Sequence, residues 1–509
     1  MELHPLLGSL QLTVPEGQGC FDCPPVDQVL PQFLRLFACG GPQGTGSNAE
    51  AGMTRDLLAI LEAVGCQWLF GGGCQNAAPK LLRDLAVALC HYAAPLQQEP
   101  EEGDAGSPYA AVADRAEDAG LVLCNVVAKV EAAKGLGSAA VGSALRQLAG
   151  PAFVFAVTHV ADTPWSKARS RSLAQELLDG LLRASDCRSV PEFLRGAREG
   201  EDGWFAAVMQ CLKPELTKET WQRNPATKHV FSSMLLQVTR PWLSQHLEKV
   251  LPPSLLLSDD YRVENKILGV QCLHHIIRNV PAADLCHFNR AQVVYHALSH
   301  HLYSKEAQLM QVVLPCLLDL LPILERAPQR LAAPSDEVLR LVLTHMETEH
   351  RLSLRRVYAR SLPAFVERLG IQVARHLKRL QQVIVGYLEV SDGPEEAARL
   401  ATLETLKRTI QHAWPRMTCR LTVLLKALLR MMWDVVTDSS STPEPVKNAL
   451  LQRATECLLL LDHSSHGQVK VLLQGVLRSC QDEHLKEYLQ KVQEEPTKSL
   501  SPPELKKEI

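Results

Sequence analysis

Aromatic residues make up only 5% of the 509-residue chain. That removes the stacking platforms on which single-stranded nucleic acid is held. Fifteen cysteines are present without a repeated spacing, and Cys272, Cys316 and Cys457 sit in apolar helical stripes. There a thiol acts as a small hydrophobe, so neither a disulfide framework nor a multi-cysteine zinc module is expected. The one close pair, Cys20 and Cys23, has no second pair at zinc-binding spacing. No clean apolar run reaches bilayer length: the one near Phe153 to Val160 is short, and Val312 to Leu324 is interrupted by Asp319 and Pro322. Residues 1–17, MELHPLLGSLQLTVPEG, carry no basic leader ahead of an apolar core. The expectation is a soluble, intracellular protein of a reducing compartment, with no membrane contact.

Reactive constellations are missing too. There is no GxSxG elbow and no Cys-His pair with an orienting acid. Gly41 to Ser47, GPQGTGS, has the glycines of a phosphate-binding loop but not the lysine that reaches the terminal phosphates. Six histidines, His274, His275, His287, His296, His300 and His301, crowd one pair of expected helices. His296 and His300 stand one turn apart, yet no HExxH pattern or matching carboxylate accompanies them, so they read as solvated or core-edge residues. A protein without catalytic residues, cofactor or metal is expected.

Charge is modest. The formal balance is -3, with 8 Lys plus Arg against 16 Asp plus Glu in residues 1–160 and 45 against 40 thereafter. No dense basic face for nucleic acid follows from so mild a split, which favours protein partners.

What the chain does have is helical periodicity. In Ser258 to Val280, SDDYRVENKILGVQCLHHIIRNV, the residues Val263, Ile267, Val270, Leu273 and Ile277 recur at three- and four-residue steps. Leu268, Cys272 and Ile276 widen the stripe, leaving Glu264, Gln271, His275 and Arg278 in water. Ser258, Asp259 and Asp260 are the expected caps, Gly269 marks a close helix crossing, and Pro281 ends the element. A helix apolar on both flanks has neighbours on both, as in a stacked helical array.

Copies of that pattern follow. The triplet Leu273, Ile276, Ile277 is succeeded by Leu318 with Leu321, by Leu362, Phe365 and Val366, and by Leu406 with Ile410, at steps of 45, 44 and 44. Cys457 with Leu460 and Leu461 comes after a longer step of 51, which the TDSSSTPEPV stretch at 437–446 explains as an insertion. Partner helices are expected at Ala291 to Leu302, Asp336 to Glu347, Ile371 to Val390 and Arg416 to Thr437. Such periods fall in the HEAT and armadillo range. The fold class read from sequence is therefore all-α, a HEAT/armadillo-like solenoid over 258–492, closed by one helix from Gln468 to Val492 with a stripe at Val471, Leu472, Val476, Leu485 and Leu489. A disordered tail, 493–509, follows.

Before it lie a helical connecting region, 161–257, and a looser, acidic helical region, 1–160, which holds 19 of the 29 glycines. Helices are expected there at Val26 to Ala38, Met53 to Leu69, Pro79 to Ala93, Ala110 to Lys134 and Ser138 to Leu148, separated by flexible loops at 40–52 and 97–108. One basic stretch stands out: residues 338–380 carry Arg340, Arg351, Arg355, Arg356, Arg360, Arg368, Arg375, Lys378 and Arg379 against three Glu. Either it is a solvated face or it is a patch for an acidic partner, as on a transport-receptor-like adaptor.

The segment DDYRVENKILGVQCLHHIIRNV, with its Asp259–Asp260 pair, the Glu264-Asn265-Lys266 run, Gly269 and Leu273-His274-His275, resembles the signature of the Tti-two family. The resemblance covers about Asn224 to Leu461. It implies a non-catalytic subunit of the Triple-T (TTT) co-chaperone complex, with Tti-one and Tel-two as partners. The complex acts with the ninety-kilodalton heat-shock chaperone in maturing the phosphatidylinositol-kinase-related kinases of DNA-damage and nutrient signalling. On that footing Asp259 and Asp260 cap the matched helix, Lys266 bridges to a neighbouring turn, and Leu273 with Ile277 enters a shared core.

Overall fold

The computed structural model describes residues 24–39, 47–70, 77–95, 109–136, 139–196, 203–325, 333–437 and 442–496. Cys20, Cys23, most of the glycine-rich loops and the tail from 497 lie outside them. Among the described residues every regular element is a helix, so the protein is all-α with HEAT-like paired helices. Contacts divide the chain into two units between Leu257 and Ser258.

The first unit contains α1 (Val26–Cys39), α2 (Ser47–Ala63), α3 (Cys66–Phe70), α4 (Ala78–Tyr92), α5 (Ala110–Ala133), α6 (Ala139–Val160), α7 (Ala168–Ala184), α8 (Val190–Arg195), α9 (Phe205–Leu212), α10 (Pro225–Gln237) and most of α11 (Leu247–Ser258). One layer runs α1, α4, α6 and a second runs α2, α5, α7, while α9 and α10 lie against α6. Residues on either side of position 160 share this packing, because α7 rests on both α5 and α6. The described residues of the amino-terminal region are well packed: Leu57, Leu61, Leu89, Val122 and Val130 are all fully buried. Of its described glycines, Gly52, Gly120, Gly142 and Gly150 lie within helices and Gly65 between two of them. Ser47 to Gly52, read as loop from composition, are the opening turns of α2, and the expected Met53 to Leu69 helix breaks at Val64 and Gly65.

A larger difference concerns α6, expected to stop at Leu148. It continues through Pro151 to Val160. An internal proline costs about 3 kcal/mol. Burial of Phe153, Phe155 and Ala156 beyond it, at roughly 1.5–3 kcal/mol per large apolar side chain, outweighs that cost. Gly150 just before it permits a close crossing, since a Cβ there would lie 3.0 Å from Cys211 Sγ and 3.1 Å from the Ala207 carbonyl oxygen of α9.

The second unit contains α12 (Val263–Asn279), α13 (Ala282–Cys286), α14 (Arg290–His301), α15 (Ala307–Glu325), α16 (Pro334–Thr348), α17 (Leu352–Leu369), α18 (Leu377–Leu388), α19 (Ala397–Ala413), α20 (Leu421–Thr437), α21 (Glu444–Ser464), α22 (Gln468–Ser479) and α23 (Glu483–Glu494). Helices α12, α15, α17, α19 and α21 pack in succession as one layer; α16, α18 and α20 pack in succession as the other. The members of each pair (α14 with α15, α16 with α17, α18 with α19, α20 with α21) are consecutive in the chain and in contact. The periodic residues Leu273, Leu362, Leu406 and Cys457 are all buried on the first layer. Leu318 is only half-buried, and Leu317, Leu320 and Leu321 carry the core instead.

Three expectations fail in detail. The matched helix starts at Val263, not Ser258: Ser258 closes α11, and Arg262 is the N-cap without a side-chain cap bond. The closing helix is two, because Asp482 caps a new start by accepting from Leu485 N at 2.8 Å. Val471 and Leu472 are then 68% and 46% exposed while Val469 and Leu473 are buried, a register the stripe at Val471, Leu472 and Val476 did not anticipate. Finally, α6 and α15 are long and apolar enough to cross a membrane by length and composition, which the short runs did not suggest. Each is packed against helices on several sides, as core helices are.

Candidate interaction surface

Around the matched segment the side chains hold one another. Asp260, 6% exposed, accepts from Asn265 Nδ2 at 2.6 Å and from the Arg262 backbone N–H at 3.3 Å, fixing the turn into α12. Asp259 and Glu264 are exposed. Ser258 Oγ and His301 Nε2 are 2.8 Å apart and buried, tying the start of the unit to the end of α14. Burial pushes the His301 imidazole down to about 4, and the charge of Lys266 works in the same direction. Gly269, Leu273 and Ile277 are buried on α12. His274 Nε2 lies 2.9 Å from Asp319 Oδ2 on α15, with Arg278 at 3.8 Å from the same oxygen. His296 pairs with Gln292 at 2.8 Å. Among the described residues no group of three or more His, Cys, Asp or Glu could hold a metal ion.

The loops that join the two helices of each pair form an edge with a different character. Tyr303, between α14 and α15, is 66% exposed and meets His345 of α16 edge-on at 5.9 Å; His345 in turn lies over Tyr358 of α17 at 6.3 Å. Burial lowers the His345 pKa and raises that of Tyr358 to about 12, so both stay neutral at physiological pH. Leu352, the first residue of α17, and Val390, just after α18, are 46% and 42% exposed. Exposed tyrosine is among the residues enriched at protein contact sites.

The basic stretch is mostly spent internally. Arg351 pairs with Glu349, Arg356 with Asp392, Arg368 with Glu325, Arg375 with Asp336 and Arg379 with Glu347. Arg355 is buried, its guanidinium 3.8 Å from the Tyr387 ring centre and its N–H groups donating to the carbonyls of Gly386 and Glu349. Arg340, Arg360 and Lys378 are the exposed cations of the stretch outside these pairs. Three scattered cations do not make an anionic docking face.

Sequence reading missed the element that organises this edge. Asp392, 2% exposed, accepts from Ala398 N at 2.9 Å, from Arg399 N at 3.4 Å and from Arg356 Nε at 2.9 Å, so it caps α19 and bridges to α17 at once. Glu396, also 2% exposed, accepts from Ser391 Oγ and Asp392 N and lies 3.6 Å from Arg399 Nε. The signal was available in Ser391-Asp392-Gly393-Pro394, a turn signature ahead of an apolar helix.

In the first unit a cavity of about 230 Å³ is lined by Cys90, Cys211, His159 and Glu215 among others. Its titratable groups are not tuned for attack. Burial raises both thiols and holds His159 down at about 4, which keeps thiols protonated and the imidazole neutral. Glu215 is occupied by Asn224 Nδ2 and the Thr227 hydroxyl.

A surface of this kind, built from paired helices and settled ion pairs, is the setting in which relatives can be compared. A model of the Tti2 family matches residues 205–395. TELO2-interacting protein 2 of Homo sapiens is 53% identical over 472 residues, covering 91% of this chain and 92% of that one. The chain belongs to the Tti2 family. TELO2-interacting protein 2 of Rattus norvegicus is 51% identical, over 94% and 96% of the two chains. Among solved structures, the crystal structure of Kap121p aligns at 14% identity and a TM-score of 0.43, covering 93% of this chain and 46% of that one. A likeness that distant adds nothing about function. The family match contains both the segment at 258–280 and the edge loops up to Glu395.

Proposed function

We propose that this protein is a non-catalytic scaffold subunit of the TTT co-chaperone complex. It binds a TELO2-like Tel-two subunit and a Tti-one subunit, and through them supports maturation of phosphatidylinositol-kinase-related kinases with the ninety-kilodalton heat-shock chaperone, in cytoplasm and nucleus. The observation that carries this reading is the identity of about half the residues, over nine-tenths of the chain, to relatives named for interaction with TELO2. The paired helices and the Tyr303–Leu352–Val390 edge support it as a surface suited to protein contacts. The test is affinity purification of the full chain from cells at endogenous level, followed by mass spectrometry. Recovery of TELO2 and a second large helical subunit in fixed ratio is expected. A solitary monomer, or kinase levels unchanged after its depletion, would refute the proposal.

A further inference from the structure

In the first unit a groove of about 570 Å³ opens between α9 and α11. Its walls are apolar: Met209, Leu216, Pro252, Pro253 and Leu256. The volume lies within the roughly 300–1,000 Å³ of ligand-sized pockets. The wall chemistry narrows the occupant. Both walls are helices, whose backbone donors are bonded internally, so neither offers the free sheet edge that an added strand requires. An α-helix makes no such demand, since its backbone bonds are internal, and it enters apolar grooves through side chains at i, i+3, i+4 and i+7. Around the groove stand Lys213 and Lys249, both exposed and neither in an ion pair among the described residues, with Glu248 the one acidic lining residue. The rim therefore favours acidic over basic flanks on whatever enters.

We propose that this groove docks an amphipathic helix of a partner protein, apolar on one face and acidic along its borders. The assignment rests on the scaffold reading, since a subunit that works by contact needs an anchor of this kind. Two groove positions, Ala206 and Met209, open the family match at 205, so the site lies inside the matched region.

Fluorescence anisotropy of the full-length chain tests it, with labelled synthetic helices of about 16 residues carrying Leu at i, i+3, i+4 and i+7. One probe has Glu on both flanks of the stripe and the other has Lys. The acidic probe binds about tenfold tighter. The double variant Lys213→Glu with Lys249→Glu inverts that preference, and Leu256→Asp abolishes binding of both probes with the circular dichroism spectrum unchanged. Equal binding of the two probes, or full binding by Leu256→Asp, overturns the proposal. So does self-association of the chain that Leu256→Asp dissolves, which would give the groove to a second copy. If the wild type still purifies with its partners while the acidic probe fails, only the groove assignment falls. If the probe binds as described and no partners are recovered, the scaffold reading falls instead.

Discussion

Replacing Asp392 with alanine removes the acceptor that joins α17 to α19. Three donors lose their partner at once: the Ala398 and Arg399 amides and the Arg356 guanidinium. Loss of a helix cap costs about 1 kcal/mol, and breaking a buried charge pair from one side about 3–5 kcal/mol. Arg356 keeps 29% side-chain exposure and can turn to water, which places the charge loss below that range, at about 2 kcal/mol. A total near 3 kcal/mol follows, about a hundredfold in an equilibrium constant. Asp392→Asn keeps an acceptor but no charge and should cost about 1–1.5 kcal/mol. Because two units in one chain violate two-state unfolding, the readout is amide hydrogen exchange by mass spectrometry over the first turns of α19. Protection there should fall about a hundredfold in Asp392→Ala and about tenfold in Asp392→Asn. Arg356→Ala in combination should show coupling of at least about 0.5 kcal/mol. A change under about threefold in Asp392→Ala, or strict additivity with Arg356→Ala, would refute the claim that this carboxylate organises the edge.

Other outcomes follow from the same geometry. Leu273→Ala, at a fully buried position on α12, should cost about 2–5 kcal/mol, read as lost amide hydrogen-exchange protection in the second unit; a loss below about 1 kcal/mol would mean that α12 is not a core helix. Gly370 ends α17 at φ 54°, ψ -128°, a region L side chains avoid, so Gly370→Ala should lower stability by about 1–3 kcal/mol in the same assay despite its open surroundings. His159 is held at about 4 by burial, below its unfolded value near 6.5. Above pH 6.5 neither state holds the proton; between 6.5 and 4 only the unfolded chain does, so stability falls as pH drops through that window and levels off below it. Unfolding measurements should show a loss of about 2 kcal/mol between pH 7 and pH 5 that the variant His159→Gln reduces; an unchanged slope would contradict the assignment.

The sequence by itself determined the helical class, the repeat of about 45 residues and most core positions. Side chains at three- and four-residue spacing must share a helix face whatever that face packs against. Leu273, Leu362 and Leu406 needed no coordinates to be placed in one layer. The family resemblance was also local, because a run such as Glu264 to His275 can be read without knowing its neighbours.

Only tertiary structure decided the rest. Whether Pro151 ends a helix depends on how much apolar surface lies beyond it, and the helices that cover Phe155 come from distant parts of the chain. Which turn residues cap α12 depended on Ser258 being claimed by His301, 43 positions away. The arginines of 338–380 read as a patch until carboxylates from other helices, Glu325, Asp336 and Asp392, proved to face them. Charge counts along a chain give a sum, whereas neutralisation depends on distances of a few ångströms between elements that only folding brings together.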